Sequence, residues 1–355
     1  MKTILRTFVG CTAILFGTAC MGAVKYVPEN MKVELSLKVP GNNAVNYKLH
    51  PDKLENSYFD YEWRSDNKLP ITVFHKVEER DSCMRLTVQL TAAQDVYFNY
   101  RQLLSTGYRH DNSQFYMPGF WYRRNLRSPK KAPSFHTSDS WLVREDRLSA
   151  PLTGIFSEKE KRFMTVNRLD DFSMDALATH KEGEIILSGK TSLGFTGFEN
   201  QQGIAMLSFG FPYREAPKSY IRKLTLAPEV EAFQLMKKGE SVLLTWEIME
   251  SGADDFSDFI QHTWEHCYDT YAPKPVENSY SIADMKQVLS CFFVNSLVDN
   301  QPLVYNSGIH LKVSDCERNG QAEVGFIGRV LLNAFNAWEY GWQSNREELK
   351  VNSTK

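Results

Sequence analysis

The residues best suited to chemistry lie in one stretch rich in aromatic residues and arginines, between positions 108 and 127. Aromatic rings can stack on the C–H faces of sugar rings, and a guanidinium offers a fork of donors that matches a carboxylate. The stretch therefore predicts a site for an acidic or polyhydroxylated glycan. The alternative is that Phe120 and Trp121 anchor the core and the arginines are solvated strand ends. The predicted binding residues are Tyr116, Trp121, Tyr122, Arg123 and Arg124.

A second candidate is the pair formed by Arg144 and Asp146. Residues two apart in a strand share a face, so Asp146 is placed to orient Arg144 toward a ligand, while Arg147 turns away. The alternative is an ion pair that serves only structure, near the junction of two domains. We include both residues among the predicted substrate-binding residues.

Metal and cofactor sites are not expected. His262, Glu265 and His266 fit the zinc-peptidase pattern H-x-x-E-H, in which histidines on one helix can share a metal. Here both histidines fall on the polar side of their helix, near Asp255 and Asp258, so we expect a solvated helix face. The sequence also contains no phosphate-binding loop, dinucleotide fingerprint or nucleophile elbow.

The cysteines follow no site pattern either. Cys83, Cys267, Cys291 and Cys316 are widely spaced and match neither a disulfide scaffold nor a C-x-x-C zinc site. We expect isolated buried thiols. One bridge between Cys291 and Cys316 stays open as the alternative in an oxidising compartment.

The net charge of the chain indicates which classes of binding partner to expect. Its 355 residues carry 41 lysines and arginines against 43 acidic residues, a net charge of -2. This balance argues against a protein held on nucleic acid by bulk charge. A content of 42% hydrophobic and 13% aromatic residues is enough for a sizeable core. The expected partner is a polysaccharide or oligosaccharide, with no nucleic acid.

The first residues read as a targeting signal. Lys2 and Arg6 precede an apolar run from Phe8 to Phe16, and small residues lead to Cys20. This order predicts a secretory signal peptide over residues 1–23, with Cys20 as a candidate lipidation site. The expected location is the periplasm, the outer membrane or the cell surface. Contact with a membrane is expected only through the lipid anchor.

Residues 24–250 read as a β-domain. Short segments that alternate apolar and polar residues recur between turn signals, the pattern of a large antiparallel β-sandwich. The clearest predicted strands are Val33–Val39, Arg85–Leu90, Arg162–Val166, Glu184–Leu187, Ile204–Phe209 and Ser241–Ile248.

The pattern turns helical after residue 250. Residues 251–278 predict a linker helix, and residues 279–355 predict a helical domain that begins with a capping box at Ser281 and Asp284. A long polar connection is predicted over Gln301–Asn319, followed by a helix over Gln321–Gln343.

The last predicted helix is apolar on nearly all sides, so most of its surface must be buried against other elements. We expect a helical domain that continues beyond this chain, or cover from the sandwich and a partner subunit. Its narrow polar stripe consists of Arg329, Asn333, Asn336 and Glu339.

The order of these segments, with the motifs at Phe115–Tyr122, Trp141–Pro151 and Val324–Arg329, resembles six-hairpin glycosidase-like proteins. These are secreted proteins of bacterial polysaccharide-utilisation systems with an (α/α) toroid. The resemblance implies a mainly β fold with C-terminal α, that is, a large antiparallel sandwich, a linker helix and the first helical hairpin of a toroid. It also implies that Arg329 and Asn333 face the inside of the ring and meet sugar.

The implied function is that of a glycoside hydrolase-like protein acting on or binding a complex polysaccharide, whether acidic or neutral. The family's catalytic carboxylates usually lie on later helices and loops, beyond the single hairpin present here, so no catalytic residue is named. The alternative function is that of a non-catalytic glycan-binding surface lipoprotein.

Overall fold

A computed structural model describes residues 27–80, 83–170, 182–222, 224–275, 277, 279–295, 297–298, 304–305, 309–312, 315–318 and 327–354, with backbone only at 292–331 and 333. The chain divides into two compact units, Met1–Ala272 and Pro273–Lys355. The predicted signal peptide, including Cys20, lies outside the described residues.

Alternating sequence gives the first unit nineteen strands within its described part, and one α-helix, α1, at Phe256–Tyr271. The strands are β1 Met31–Lys38, β2 Val45–Lys53, β3 Tyr61–Arg64, β4 Ile71–Glu79, β5 Cys83–Ala92, β6 Val96–Arg109, β7 Ser113–Met117, β8 Trp121–Arg123, β9 Trp141–Arg144, β10 Leu152–Ser157, β11 Arg162–Arg168, β12 Gly183–Ile186, β13 Phe195–Gln201, β14 Ile204–Phe211, β15 Arg214–Glu215, β16 Ser219–Arg222, β17 Thr225–Ala227, β18 Val230–Met236 and β19 Ser241–Gly252.

These strands form a sandwich of two mainly antiparallel layers. The front sheet has the order β2-β1-β6-β14-β13-β9. The back sheet has the order β3-β4-β5-β19-β11-β10-β7-β8. Strand β2 pairs with β1 through one half and with β3 through the other, which joins the two layers. The predicted mainly β class, a large antiparallel sandwich followed by C-terminal helices, is confirmed.

The main core lies between the two sheets. The hydroxyl of Thr196 in the front sheet donates to that of Thr153 in the back sheet at 2.8 Å, and Tyr100 of the front sheet lies 2.9 Å from the ring of His75 behind it. Large side chains fill this space because each strand turns every second residue inward. Trp121, Trp141 and Trp246 are almost completely buried.

Helix α1 packs on the outer face of the back sheet. Asp255 begins the helix by accepting hydrogen bonds from the backbone N–H groups of Ser257 and Asp258. Phe259 is fully buried, 4.9 Å from the ring of Phe163 between centroids. Helix α1, which lies within the predicted linker segment 251–278, thus belongs to the first compact unit, which ends at Ala272. Much of the back sheet is buried on both faces as a result.

The second unit contains three described helices, α2 Ile282–Asn295, α3 Ile327–Gln343 and α4 Glu347–Asn352. The predicted capping box is present, since Asp284 N donates to Ser281 Oγ at 3.1 Å and Ser281 N to Asp284 Oδ2 at 2.9 Å. Within the described residues, local antiparallel pairing forms short strands between α2 and α3, three of them inside the predicted polar connection Gln301–Asn319. These are β20 Leu297–Val298, β21 Val304–Tyr305, β22 Ile309–Lys312 and β23 Asp315–Arg318.

Arg329 and Asn333 lie on the backbone of α3, and their side chains fall outside the described part of the chain. Among the described side chains of α3, those of Leu332, Phe335 and Trp342 are more than half exposed. None of the described helices is long and apolar enough to cross a lipid bilayer.

Candidate functional site

A cleft of about 840 Å³ lies beside the hairpin formed by β7 and β8, at the edge of the back sheet. The loop after β8 forms one wall, and the turn before β7 forms another. The side chains that line the cleft include Asp111, Gln114, Tyr122, Arg123, Arg124, Arg127 and Glu158. Three of the five predicted binding residues of the stretch 108–127 line it, namely Tyr122, Arg123 and Arg124.

The shape of the loop after β8 depends on Asn125. Its φ of 49° is left-handed, a conformation that asparagine tolerates better than most residues. The Asn125 side chain accepts from the backbone N–H of Tyr122 at 3.1 Å and donates to the carbonyls of Phe120 and Pro133 at 3.2 and 3.1 Å. These bonds fix the loop, so Tyr122 and Arg123 keep their position at the cleft.

The structure places Trp121 and Tyr116 in packed layers and not in the cleft. Trp121 is fully buried in the sandwich core, with ring centroids 5.9 Å from Trp141 and 5.1 Å from Phe198. Tyr116 points to the opposite face of the sheet, where its hydroxyl accepts from Trp264 Nε1 at 2.7 Å. Burial raises the pKa of Tyr116 to about 12.

Arg124 lines the cleft, but its Nε and Nη2 donors already bond backbone carbonyls. Its guanidinium donates to the backbone carbonyls of His110, Asp111 and Ser113, and it lies 5.0 Å above the ring of Phe135. These carbonyls belong to the turn that leads into β7. Arg124 therefore ties the two walls of the cleft together through Nε and Nη2.

Tyr122, Arg123 and Arg127 are exposed side chains of the cleft that could contact a sugar or its carboxylate. Half of the Tyr122 surface is exposed, and both arginines are exposed. The Arg123 guanidinium lies 5.0 Å above the ring of Phe256, which restricts its orientation. Over the part of the chain that the structure describes, no carboxylate forms an ion pair with Arg123 or Arg127. Arg127 was not among the predicted binding residues, although it lies within the same stretch.

The cleft also contains two carboxylates. Asp111 pairs with Arg109 at 2.8 Å, and hydrogen bonding to that guanidinium lowers the pKa of Asp111. Glu158 accepts a hydrogen bond from Gln114. Glycoside hydrolysis needs a carboxylic acid that keeps its proton near neutral pH, whereas the pKa of Asp111 is shifted the other way.

The pKa of Glu145 is shifted in the opposite direction, but this residue lies outside the cleft. Burial raises the pKa of Glu145, which is completely buried. Its Oε2 accepts from Arg168 at 2.7 Å and from the backbone N–H of Gly194 at 2.7 Å. This carboxyl is part of the core and does not line the cleft, so it offers no proton to a ligand there.

Arg144 and Asp146 lie apart from the cleft. They pair with each other through two hydrogen bonds, one of 3.0 Å from Arg144 Nε to Asp146 Oδ1. The Arg144 guanidinium also lies 4.7 Å above the ring of Tyr213. Both side chains are mostly buried. The structure therefore brings this predicted pair together as an ion pair, away from Tyr122 and Arg123.

The chain was compared with known proteins. No protein-family model matches it, and no curated protein matches its sequence. Among solved structures, it is similar to a polysaccharide lyase at 12% identity and a TM-score of 0.33. The match covers 66% of this chain and 27% of the lyase, so the chain spans about a quarter of that protein's length.

Two further solved structures are similar to the chain. The Slr1438 protein of Synechocystis sp. PCC 6803 is 8% identical, with a TM-score of 0.32 and coverage of 61% of this chain and 73% of that one. The GH36 α-galactosidase AgaA from Geobacillus stearothermophilus is 11% identical, with a TM-score of 0.26. The match covers 63% of this chain and 30% of the galactosidase. These similarities are distant, and the function proposed below rests on the cleft.

Proposed function

We propose that the first unit binds an acidic polysaccharide in the cleft beside the β7–β8 hairpin. The observation that carries the proposal is the exposed Tyr122 ring beside two exposed arginines, Arg123 and Arg127, that have no ion-pair partner within the described residues. The ring offers a stacking surface for a sugar. The guanidinium groups offer paired donors to its carboxylate.

The ligand suited to this cleft is a polymer. An exposed pair of arginine and carboxylate contributes only about 0–1 kcal/mol, so one uronate residue would bind weakly. A chain with many carboxylates can engage Arg123 and Arg127 together and rebind after local release, which raises the overall affinity. The proposal is for binding, because Arg109 lowers the pKa of Asp111 in the cleft, which is the direction opposite to the one that a general acid needs.

The test is affinity electrophoresis of the full chain in gels containing polygalacturonate. Tyr122→Ala and Arg123→Ala should each weaken retardation roughly threefold to tenfold, since each removes one exposed contact worth about 1 kcal/mol. Matched controls are Tyr58→Ala and Arg64→Ala, which alter an exposed tyrosine and an exposed arginine outside the cleft. Variants that keep the wild-type near-ultraviolet circular dichroism and also the wild-type retardation would exclude the cleft.

The same proposal includes export of the chain as a lipoprotein. Residues 1–23 carry the features of a signal peptide, and Cys20 is the residue that would receive the lipid. The wild-type protein should enter the detergent-rich phase of a detergent extract of the producing cells, and Cys20→Ser should stay in the aqueous phase. Equal partitioning of the two proteins would exclude lipidation at Cys20.

A further inference from the structure

Three metal-ligating side chains from distant parts of the chain meet between the back sheet and helix α1. Strand β5 pairs with β19 so that Cys83 lies opposite Met249 and Arg85 opposite Glu247. Cys83 and Glu247 are therefore diagonal neighbours on the same face of the sheet. That face carries α1, which brings His266 to them.

The geometry of this cluster is compact. His266 Nε2 lies 2.8 Å from Glu247 Oε1, and Thr270 Oγ1 donates to the same oxygen at 3.0 Å. The sulfur of Cys83, a ring nitrogen of His266 and a carboxylate oxygen of Glu247 all lie within 4.8 Å of one another. Ligand atoms around a tetrahedral zinc ion are about 3.3–3.7 Å apart, given metal–ligand bonds of about 2.0–2.3 Å. Small side-chain movements would place all three on one ion.

The donor set selects the kind of cation. A thiolate and an imidazole suit zinc, whereas calcium and magnesium prefer oxygen ligands only. The thiolate and the carboxylate would offset the two charges of the ion. Arg85 lies 3.4 Å from the other carboxylate oxygen, Oε2, and leaves Oε1 to face His266.

Burial of the cluster is uneven, which allows an ion to enter. Cys83 and Glu247 are each 4% exposed, so water competes little for these ligands. The side chain of His266 is 20% exposed and opens the cluster to solvent on one side. A water molecule on that side can supply the fourth ligand, as in zinc sites with three protein ligands.

We propose that Cys83, Glu247 and His266 bind one zinc ion, which ties helix α1 to the back sheet. The Cys83 thiol gives its proton to solvent as the sulfur coordinates the ion. The site does not use the pairing expected from the H-x-x-E-H pattern, since the other histidine, His262, contacts Asp258 at 3.3 Å instead. This site is separate from the cleft, so its test does not depend on polysaccharide binding.

The test is a titration of the metal-free full chain with cobalt(II), followed by zinc. A cysteine ligand gives cobalt a sulfur-to-metal charge-transfer absorption in the near ultraviolet. We expect that absorption to saturate at one cobalt per chain and to disappear when zinc displaces the cobalt. Bound zinc should also raise the unfolding temperature, and it should slow alkylation of Cys83 at least tenfold without slowing alkylation of Cys291, as mapped by mass spectrometry.

Variants locate the site. Cys83→Ser and His266→Gln should weaken cobalt binding about 100-fold or more, because each removes a ligand. The matched controls are Cys267→Ser, a neighbouring buried thiol outside the cluster, and His262→Gln, one turn earlier on α1. Both controls should bind as the wild type does.

Three outcomes would overturn the proposal of a zinc site. They are the absence of the charge-transfer absorption in the wild type, no zinc-dependent protection of Cys83, or equal losses in His266→Gln and His262→Gln. The first two are measured on the unmutated chain, so a variant that fails to fold leaves the proposal testable.

Discussion

The arginines of the cleft differ in what their guanidinium groups already contact. Arg124 bonds three backbone carbonyls and holds two loops together, while Arg123 and Arg127 have no ion-pair partner within the described residues. The sequence shows that this stretch carries several arginines. It could not show which guanidinium groups are available to a ligand, because that depends on where the fold places the carbonyls of residues 110–113.

His75 gives a residue-scale prediction for stability. It is completely buried, and burial lowers its pKa to about 3. An unfolded chain protonates this residue below about pH 6.5, whereas the native protein resists protonation until about pH 3. Between these two pH values the unfolded chain binds a proton that the native protein does not. The free energy of unfolding should therefore fall by up to about 1.4 kcal/mol for each pH unit as the pH decreases through this range.

Urea unfolding between pH 7 and pH 4 measures this effect. His75→Gln should be less stable at neutral pH because it alters a buried contact, but its free energy of unfolding should fall less steeply with decreasing pH than that of the wild type. Equal slopes for the two proteins would show that His75 does not cause the loss.

At the scale of elements, the alternation of apolar residues predicted the strands well. The predicted segments 33–39, 85–90 and 241–248 correspond to β1, β5 and β19. Each of these strands turns one face to the core, so the hydrophobic residues recur every second position. The helix predicted within residues 251–278 corresponds to α1, which ends at Tyr271 shortly before Pro273 and Pro275, residues that cannot continue a helix.

The same alternation could not show which residues of the β7–β8 hairpin face the cleft. Strands β7 and β10 are buried on both faces, by the sandwich core and by α1. Tyr116 of β7 is therefore buried on the side of α1, and Trp121 of β8 is buried in the sandwich core. The cluster of Cys83, Glu247 and His266 was beyond prediction for a related reason, since the pairing of β5 with β19 that creates it is set by the whole fold.

Gly154 gives a prediction at the scale of the sheet and helix. A Cβ atom at this position would lie 2.6 Å from Phe259 Cζ and 3.1 Å from Thr165 Cγ2. Phe259 is fully buried and cannot move without displacing its neighbours. Gly154→Ala should therefore destabilise the protein by about 1–3 kcal/mol, as overpacking of a core does.

Chemical denaturation of Gly154→Ala and of Gly189→Ala tests this close approach. A Cβ atom at Gly189 would meet nothing within 4 Å, so that variant should change stability by less than about 0.5 kcal/mol. If Gly154→Ala is as stable as the wild type, α1 does not pack against β10 as described.

At the scale of the whole molecule, the net charge of -2 gives no general attraction for an anionic polymer. Any attraction must come from the local arginines of the cleft, and these are exposed. Interactions of this kind are screened over about 10 Å at 0.1 M salt and over about 3 Å at 1 M. Binding should therefore be strong in dilute buffer and weak in concentrated salt.

The most direct test of polysaccharide binding is a calorimetric titration of the full chain with polygalacturonate and with the same polymer after its carboxyl groups have been reduced to alcohols. The two ligands share ring stacking and differ in charge. We predict that the acidic polymer binds at least about tenfold more tightly, as expected when the difference lies in a few exposed ion pairs of about 1 kcal/mol each. Equal affinities, or no heat of binding with either polymer, would contradict the account.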